Sequence, residues 1–561
     1  MTDKIKLSEV EKIKIESNYL RGSLEEGFND PLTGSICESD TQLIKFHGSY
    51  QQDDRESRSR RAQKKLEKSF SFMLRLRIPG GRVTAKQMLN IFKITDDNAT
   101  GIVKITTRQT IQLHGIIKSK LKPTLQFFDK FDLDSIAACG DVNRNIVTGS
   151  NFEDSDQNSE SLHTELIRFT RDLSKKFLPH TKAYREIWLD AEKISEDENE
   201  EQVEPIYGKV FLPRKFKMGI AIPPFNDIDV YANDFGLVAI IEAGKLVGFN
   251  VLAGGGMGAT HGNEETYPRL ASEIGFITPE QALDIAEAVV TFQRDNGNRS
   301  NRKLSRLKYT IDKVGLVEFK ADVEKRSGIK FAPLRSVEFK YRNDVLGWRR
   351  DYKGDWHYTV FTENGRIMDQ DLAKFKTAIR EISELDISEF QFTANQNLSV
   401  ANIKEQDKAK VDAVLNKYGI IDYQKTLSEI RIGSMACVAF NTCGLALAEG
   451  QRYMPSLITK LEPLLARHGL ADKEITIRMT GCPNGCARPY VAEIGFVGTS
   501  LGKYNFHLGG DRLGMRLNTK YKESLDEAQI LSELDGFFEL YSREGGNQDF
   551  GDFIHQHISN K

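Results

Sequence analysis

Apolar and polar positions alternate with a period of two in FMLRLRIP, which predicts a strand ending at Gly80-Gly81 with Arg75 and Arg77 on one face. The helical period follows in AKQMLNIFKI. Alternation returns in GIVKITTRQTIQLHG, read as one strand whose polar stripe is Lys104, Thr106, Arg108, Thr110, Gln112 and His114. An acidic, loop-like stretch at 151–162 precedes the amphipathic helix HTELIRFTRDLSKKFL, and a second acidic loop is expected at 191–204. LPRKFKMGIAIPP predicts another strand, with Lys215 and Lys217 on one face and Arg214 on the other. LVAIIEAGKLVGFNVLAGGGMG reads as a hairpin entering a glycine loop. PEQALDIAEAVVTFQRDNG and YMPSLITKLEPLLARH read as helices, and the tail beyond Tyr521 as largely helical.

Part of this pattern repeats. GGRVTAKQMLNIFK leading to TTRQTIQLHGI returns as ENGRIMDQDLAKFKTAIREI leading to TANQNLSVANI, with Arg82 matching Arg366 and Gln109 matching Gln396 at offsets of 284 and 287. Copies this far apart predict a duplicated strand–helix–strand unit related by pseudo-symmetry. The second copy carries Thr359 and Phe361 where the first has Arg75 and Arg77, so one half is charged where the other is not. The expected units are an N-terminal arm over 1–70, the duplicated unit over 71–139 and 345–415, a substrate and cofactor domain over 140–344, and a cysteine-bearing domain over 416–561.

A chain of 561 residues with a net charge of −2 has length for several cores but no global electrostatic case for nucleic acid. The longest apolar run is broken by Glu242 and Lys245, and the charged first residues lack an apolar signal core, so neither a membrane nor export is expected. A cytoplasmic setting follows, and it suits free thiolates. Any anion site must come from local clustering of cations.

Four of the six cysteines fall in MACVAFNTCGLALAEG and MTGCPNGCARP, as Cys437-x5-Cys443 and Cys482-x3-Cys486. Disulfides fit poorly with so few cysteines; an iron–sulfur cluster and a structural zinc site both remain open on spacing. Cys37 and Cys139 stand alone and read as ordinary thiols. The run Gly254-Gly255-Gly256 could cradle an anion but lacks a nucleotide-binding spacing.

These two cysteine segments, together with SNYLRG, FHGSYQQDDR, LPRKFK, NDIDVYANDFG and VGFNVLAGGG, resemble the siroheme-dependent sulfite and nitrite reductases, and within them the branch fed by NADPH. The resemblance covers nearly the whole chain. It implies a trilobed α+β fold, rich in α/β structure, in which two ferredoxin-like half-units form one domain beside two α/β domains. It implies a [4Fe-4S] cluster on Cys437, Cys443, Cys482 and Cys486, with Cys486 also axial to the siroheme iron. Sulfite is expected on Arg75, Arg144, Lys215 and Lys217. Siroheme contacts are expected from Arg77, Lys104, Arg108, Gln112, His114, Arg214, Arg306 and Gln396. The implied activity is six-electron reduction of sulfite to sulfide in assimilatory cysteine biosynthesis, with electrons from a flavoprotein subunit carrying FAD and FMN. Lys104 stands where the family commonly has Arg, replacing a bidentate fork with a point charge. The ending GDFIHQHISNK also departs from the family's usual one.

Overall fold

Two five-stranded antiparallel sheets form the centre of the computed structural model, which describes residues 6–153, 157–191, 204–351 and 353–559. Most of the acidic loop expected at 191–204 lies outside these residues. The first sheet runs Ser49–Asp53, Phe70–Arg75, Ile111–Ile116, Val103–Ile105, Arg366–Ile367; the second runs Gly347–Arg350, Trp356–Val360, Leu398–Ile403, Glu389–Phe392, Arg82–Thr84. Each copy of the repeat therefore gives its short edge strand to the other. Arg366 pairs with Lys104, and Arg82 pairs with Gln391.

The exchange is enforced by two glycines. Gly81 (φ 77°) and Gly365 (φ 70°) are left-handed, and an added Cβ would stand 2.4 Å from the Phe392 carbonyl oxygen in one case and 2.5 Å from that of Ile105 in the other. Gln109 and Gln396, matched by sequence, share a positive φ of 50° and 71°. Helix Ala85–Asn98 is started by Thr84 and Gln87 in a reciprocal capping box.

The stretch Gly101–Gly115 is not one strand. It folds as a hairpin, with Val103–Ile105 pairing back onto Ile111–Ile116 and Lys104 opposite Gln112. The left-handed Gln109 makes the turn, so Arg108 sits at its tip and the polar positions do not form a single stripe. The acidic stretch 151–162 is only partly loop, since helix Gln157–Lys176 begins within it. Ser49–Asp53, inside the expected arm, is the edge strand of the first sheet.

The remaining two sheets share a topology. Val147–Thr148, Met218–Ala221 and Phe235–Glu242 are parallel and are followed by antiparallel Lys245–Ala253 and Ser272–Ile277. Ser434–Ala436, Ile477–Thr480 and Ile494–Ser500 are parallel and are followed by antiparallel Lys503–Leu508 and Thr519–Leu525. In both, a left-handed residue, Asp229 or Arg488, opens a short 3-10 turn before the third strand. A left-handed glycine, Gly254 or Gly509, follows the fourth. The duplication thus extends beyond the ferredoxin-like units to the whole strand order of the α/β lobes.

One apolar core runs through the first three units, from Leu20 to Ile420, and a separate one fills the cysteine-bearing lobe, from Ile430 to Ile554. The departing C-terminal segment forms helix Phe550–Ser559. It packs Phe550, Phe553 and Ile554 into that second core, and its Gly551 N–H donates to buried Glu493 at 2.8 Å.

Candidate active site

The segment that follows the three glycines and the cysteine turn meet at a cavity of about 270 Å³ lined by Arg214, Lys215, Arg302, Lys303, Arg306 and Tyr309, with Gly258–Thr260 and Asn484. The glycine loop is joined to the cysteine turn: Ala259 N–H donates to the Pro483 carbonyl at 2.8 Å, and a Cβ on Gly485 would lie 2.9 Å from the Met257 carbonyl oxygen. Gly256 has no room for a side chain because the Arg306 guanidinium occupies it, 2.5 Å from where a Cβ would sit. Gly254 packs against Arg269 and Ile311, Gly255 against the backbone of Tyr231 and Asn233, and Gly256 against Arg306, so close packing accounts for all three glycines.

The cations around this space are held mainly by neutral acceptors. Arg75 donates to the Cys139 sulfur at 3.0 Å and to the Ala138 carbonyl at 3.3 Å. The Gln112 amide, turned so that its oxygen faces Arg75, accepts from Nε at 3.1 Å. Arg144 donates to the carbonyl of Gly140 at 2.8 Å, and Tyr50 hydrogen-bonds to both Arg75 and Arg144. Arg108 spans the carbonyls of Asn145 and Met218 and the Asn233 amide oxygen. Burial, then neighbouring Arg488, pulls its pKa down to about 9.

Lys215 lines this cavity, and Lys217 lies two residues further on, near Arg108, Lys215 and Arg306. Burial, then the Arg214 charge, lowers Lys215 to about 7. Burial, then Arg108, Lys215 and Arg306, pushes Lys217 well below the ordinary lysine value. Arg214 falls to about 10 for the same first reason. Two carboxylates answer these cations: Asp234 Oδ2 accepts from Arg306 at 2.5 Å and from the Lys217 backbone N–H at 3.0 Å, and Asp141 accepts from Arg302 at 2.7 and 2.9 Å. So many crowded cations with so little counter-charge fit a bound polyanion.

Other expected residues stand apart. Arg77 is taken by the Asp134 carboxylate and Ser174, so its charge is already matched. Lys104, 3% exposed, donates to the Asn364 carbonyl beside Cys437; burial lowers its pKa to about 7. His114 meets Gln52 at 3.0 Å, and burial with Lys104 nearby drops it to about 3. Gln396 donates to the Ile105 carbonyl at 3.3 Å, leaving its own amide oxygen without a partner. Asp234, Asp141, Tyr50 and Arg302 were invisible as site residues in the sequence; only the fold carries them to the cations.

All six cysteines are free thiols. Cys437 accepts from the Gly481 N–H at 3.4 Å, and Cys482 from the Asn484 amide at 3.5 Å. The thiols of Cys437, Cys443 and Cys482 are pushed up first by burial and next by the charge of Cys486. The same Cys486 charge acts on Arg75, Lys215 and Lys217. The turn that carries Cys482 and Cys486 reaches the cavity through Asn484. Among the described residues, no three of His, Cys, Asp or Glu stand close enough to hold a single metal ion.

Two sequence profiles match this chain. One is the nitrite and sulphite reductase 4Fe-4S domain, over residues 171–331; the other is the nitrite/sulfite reductase ferredoxin-like half domain, over 64–130 and 349–418. Curated relatives described as the sulfite reductase [NADPH] hemoprotein beta-component occur in Leptospira biflexa serovar Patoc (53% identical, 97% of both chains), Staphylococcus haemolyticus (49%, 98% of this chain and 95% of that) and Shewanella piezotolerans (51%, 98% and 96%).

The chain belongs to the nitrite and sulfite reductase family. The NirA protein of Mycobacterium tuberculosis shares the fold, with a TM-score of 0.77 over 98% of this chain and 96% of that one at 22% identity. The ferredoxin-like profile spans both copies of the repeat, in agreement with the exchanged sheets. The segment 171–331 holds none of the six cysteines, and four of them stand in the other α/β lobe, the topological counterpart of the matched one. As a member of this family the chain is an oxidoreductase whose cofactors are siroheme and a [4Fe-4S] cluster. Four converging thiols with N–H donors suit the cluster, and the crowded cations suit the carboxylates of siroheme.

Proposed function

We propose that this chain is the hemoprotein component of an NADPH-dependent sulfite reductase, carrying out the six-electron reduction of sulfite to sulfide in assimilatory cysteine biosynthesis. The observation that carries the reading is the place of the Cys482–Cys486 turn, whose Pro483 carbonyl accepts from the Ala259 N–H at 2.8 Å, whose Cys486 carbonyl accepts from the Thr107 hydroxyl at 3.0 Å, and whose Asn484 lines the cavity with Arg214, Lys215 and Arg306. When bound, siroheme and the cluster supply an iron for the sulfur atom and a store of electrons. Cys437, Cys443, Cys482 and Cys486 would hold the cluster, and Cys486 would also reach the siroheme iron. Arg108, Gln112, Arg214 and Arg306 would face siroheme carboxylates, with Arg77, Lys104, His114 and Gln396 further out.

Arg75, Arg144, Lys215 and Lys217 bind and orient the oxyanion. Arg75 and Arg144 keep fixed positions because carbonyls, Tyr50 and Gln112 hold their remaining N–H groups. Lys215, at about 7, hands a proton to a departing oxygen near neutral pH and takes one back from solvent. Lys217, lowered further, gains most from an anion beside it and holds its proton firmly only once that anion arrives. The chain shows no nucleotide-binding fingerprint, so NADPH oxidation belongs to a flavoprotein partner carrying FAD and FMN. No described helix is long and apolar enough to cross a membrane.

Absorption spectra with iron and acid-labile sulfide analysis test the cofactors, and Cys486→Ser tests the junction. The substitution is expected to abolish sulfite reduction and to perturb both the heme and cluster spectra. Loss of the cluster signal alone, with heme bands unmoved, would reject a shared ligand.

A further inference from the structure

The chain from Cys437 to Tyr453 contains no helix or strand, yet it supplies two cluster ligands. Part of it is held by a side chain from almost four hundred residues upstream. Arg55 Nη1 donates to the Ala446 carbonyl at 2.6 Å and to the Cys443 carbonyl at 3.2 Å, and its guanidinium lies 4.2 Å over the Phe440 ring. Beside it, Asp54 accepts from the Asn441 amide at 2.9 Å, and Glu56 accepts from Arg452 at 2.7 Å. The segment that was a candidate packing arm in the sequence is thus a clamp on the ligand loop.

The gripped carbonyls belong to a tight turn closed by Ala446 N–H onto the Cys443 carbonyl at 3.1 Å. The peptides of this turn follow Cys443 directly, so their orientation sets the polar surroundings of its side chain. The outer side of the turn is open, with Leu445 67% exposed and Cys443 itself half-buried. A cation on the carbonyl side of these peptides fixes the direction in which their N–H dipoles point, and adds its own positive field.

We propose that Arg55 is a positioning residue for Cys443, holding the 443–446 turn closed so that its amides and the guanidinium charge favour the reduced, more negative cluster. This rests on Cys443 being a cluster ligand. Hydrogen bonds to cluster sulfurs and solvent exposure are the protein's main levers on cluster potential, and Arg55 acts on both at one turn. Nothing in the local sequence of the ligand loop encodes the clamp.

The experiment uses the cofactor-loaded protein. Arg55→Gln is expected to move the cluster midpoint, followed by EPR-monitored redox titration, to more negative potential and to speed chelator-driven iron release severalfold. Arg55→Lys keeps the charge but cannot span both carbonyls; it is expected to keep most of the potential while releasing iron faster. Arg61→Gln, on the same segment but donating to the Glu67 carbonyl and not to the ligand loop, should match the unmodified protein in both. Unchanged potential and release in both Arg55 variants overturn the proposal. If Arg55→Gln does not fold with its cofactors, Arg55→Lys decides alone, and unmodified release from it overturns the proposal. A missing cluster signal in the unmodified protein would instead overturn the ligand assignment.

Discussion

Lys215 loses its proton at about 7 in the folded chain, and Lys104 and Lys308 at about 7 and 6, burial being the first cause in each. An unfolded lysine keeps its proton to about 10.4. Between these values the unfolded state binds more protons, so stability rises with pH, by up to about 1.4 kcal/mol per pH unit and group before screening by cavity water. Urea unfolding of protein prepared without its cofactors should therefore show increasing stability from pH 7 to 9, and Lys215→Met should flatten part of that slope. A flat profile would mean that the cations are not crowded as described. Strand periodicity made Arg75 legible in the sequence; Lys215 and Lys217 were read onto a strand, but that strand begins only at Met218, and the two lysines flank an isolated bridge of Phe216 to Asn143. The engagements of Arg77 and Lys104 were not legible, because Asp134 and the Asn364 carbonyl lie 57 and 260 residues away and no local pattern reports them.

Among the elements, the two exchanged edge strands depend on Gly81 and Gly365, which meet the same backbone obstruction in the two halves. A Cβ at either must displace a carbonyl and occupy the left-handed region, so Gly81→Ala and Gly365→Ala should each destabilise by about 1–3 kcal/mol, seen as similar drops in the urea midpoint. Markedly unequal losses would deny the equivalence of the two positions. The repeat was readable from GGR, NGR and the paired glutamines. The hairpin at 101–115 was not, since its turn uses left-handed Gln109 in place of a glycine or asparagine, and a polar turn between short strands mimics a continuous alternating strand.

Across the whole molecule, buried Asp229 binds Arg342 Nε at 2.7 Å, Arg478 Nη1 at 2.5 Å and the Arg488 Nε. Arg488 also donates to the carbonyls of Thr107 and Ala394, one from each half of the ferredoxin-like domain. One carboxylate thus ties all the lobes together. Asp229→Asn would leave three buried guanidinium groups without a full counter-charge, at a cost of about 3–5 kcal/mol. Lower thermal stability and poor cofactor retention in the purified variant are expected; unmodified melting would deny the hub. Its partner Arg488 occupies the equivalent place in the other α/β lobe. Two equivalent positions that carry opposite charges do not look like a repeat in sequence, which is why the duplication of these lobes emerged only from strand order.

The exchange of edge strands also governs when the protein can be finished on the ribosome. Val103–Ile105 waits for Arg366–Ile367, and Arg82–Thr84 waits for Glu389–Phe392. At roughly 5–20 residues per second, the intervening 260 or so residues take about 13–50 s to emerge. Throughout that interval the nascent first half carries an open sheet edge, a template for pairing with neighbouring chains on the same message. The last cysteine turn emerges later still, so metal and tetrapyrrole loading comes after the sheets close, and a slow-translating or truncated chain would aggregate before it could be loaded.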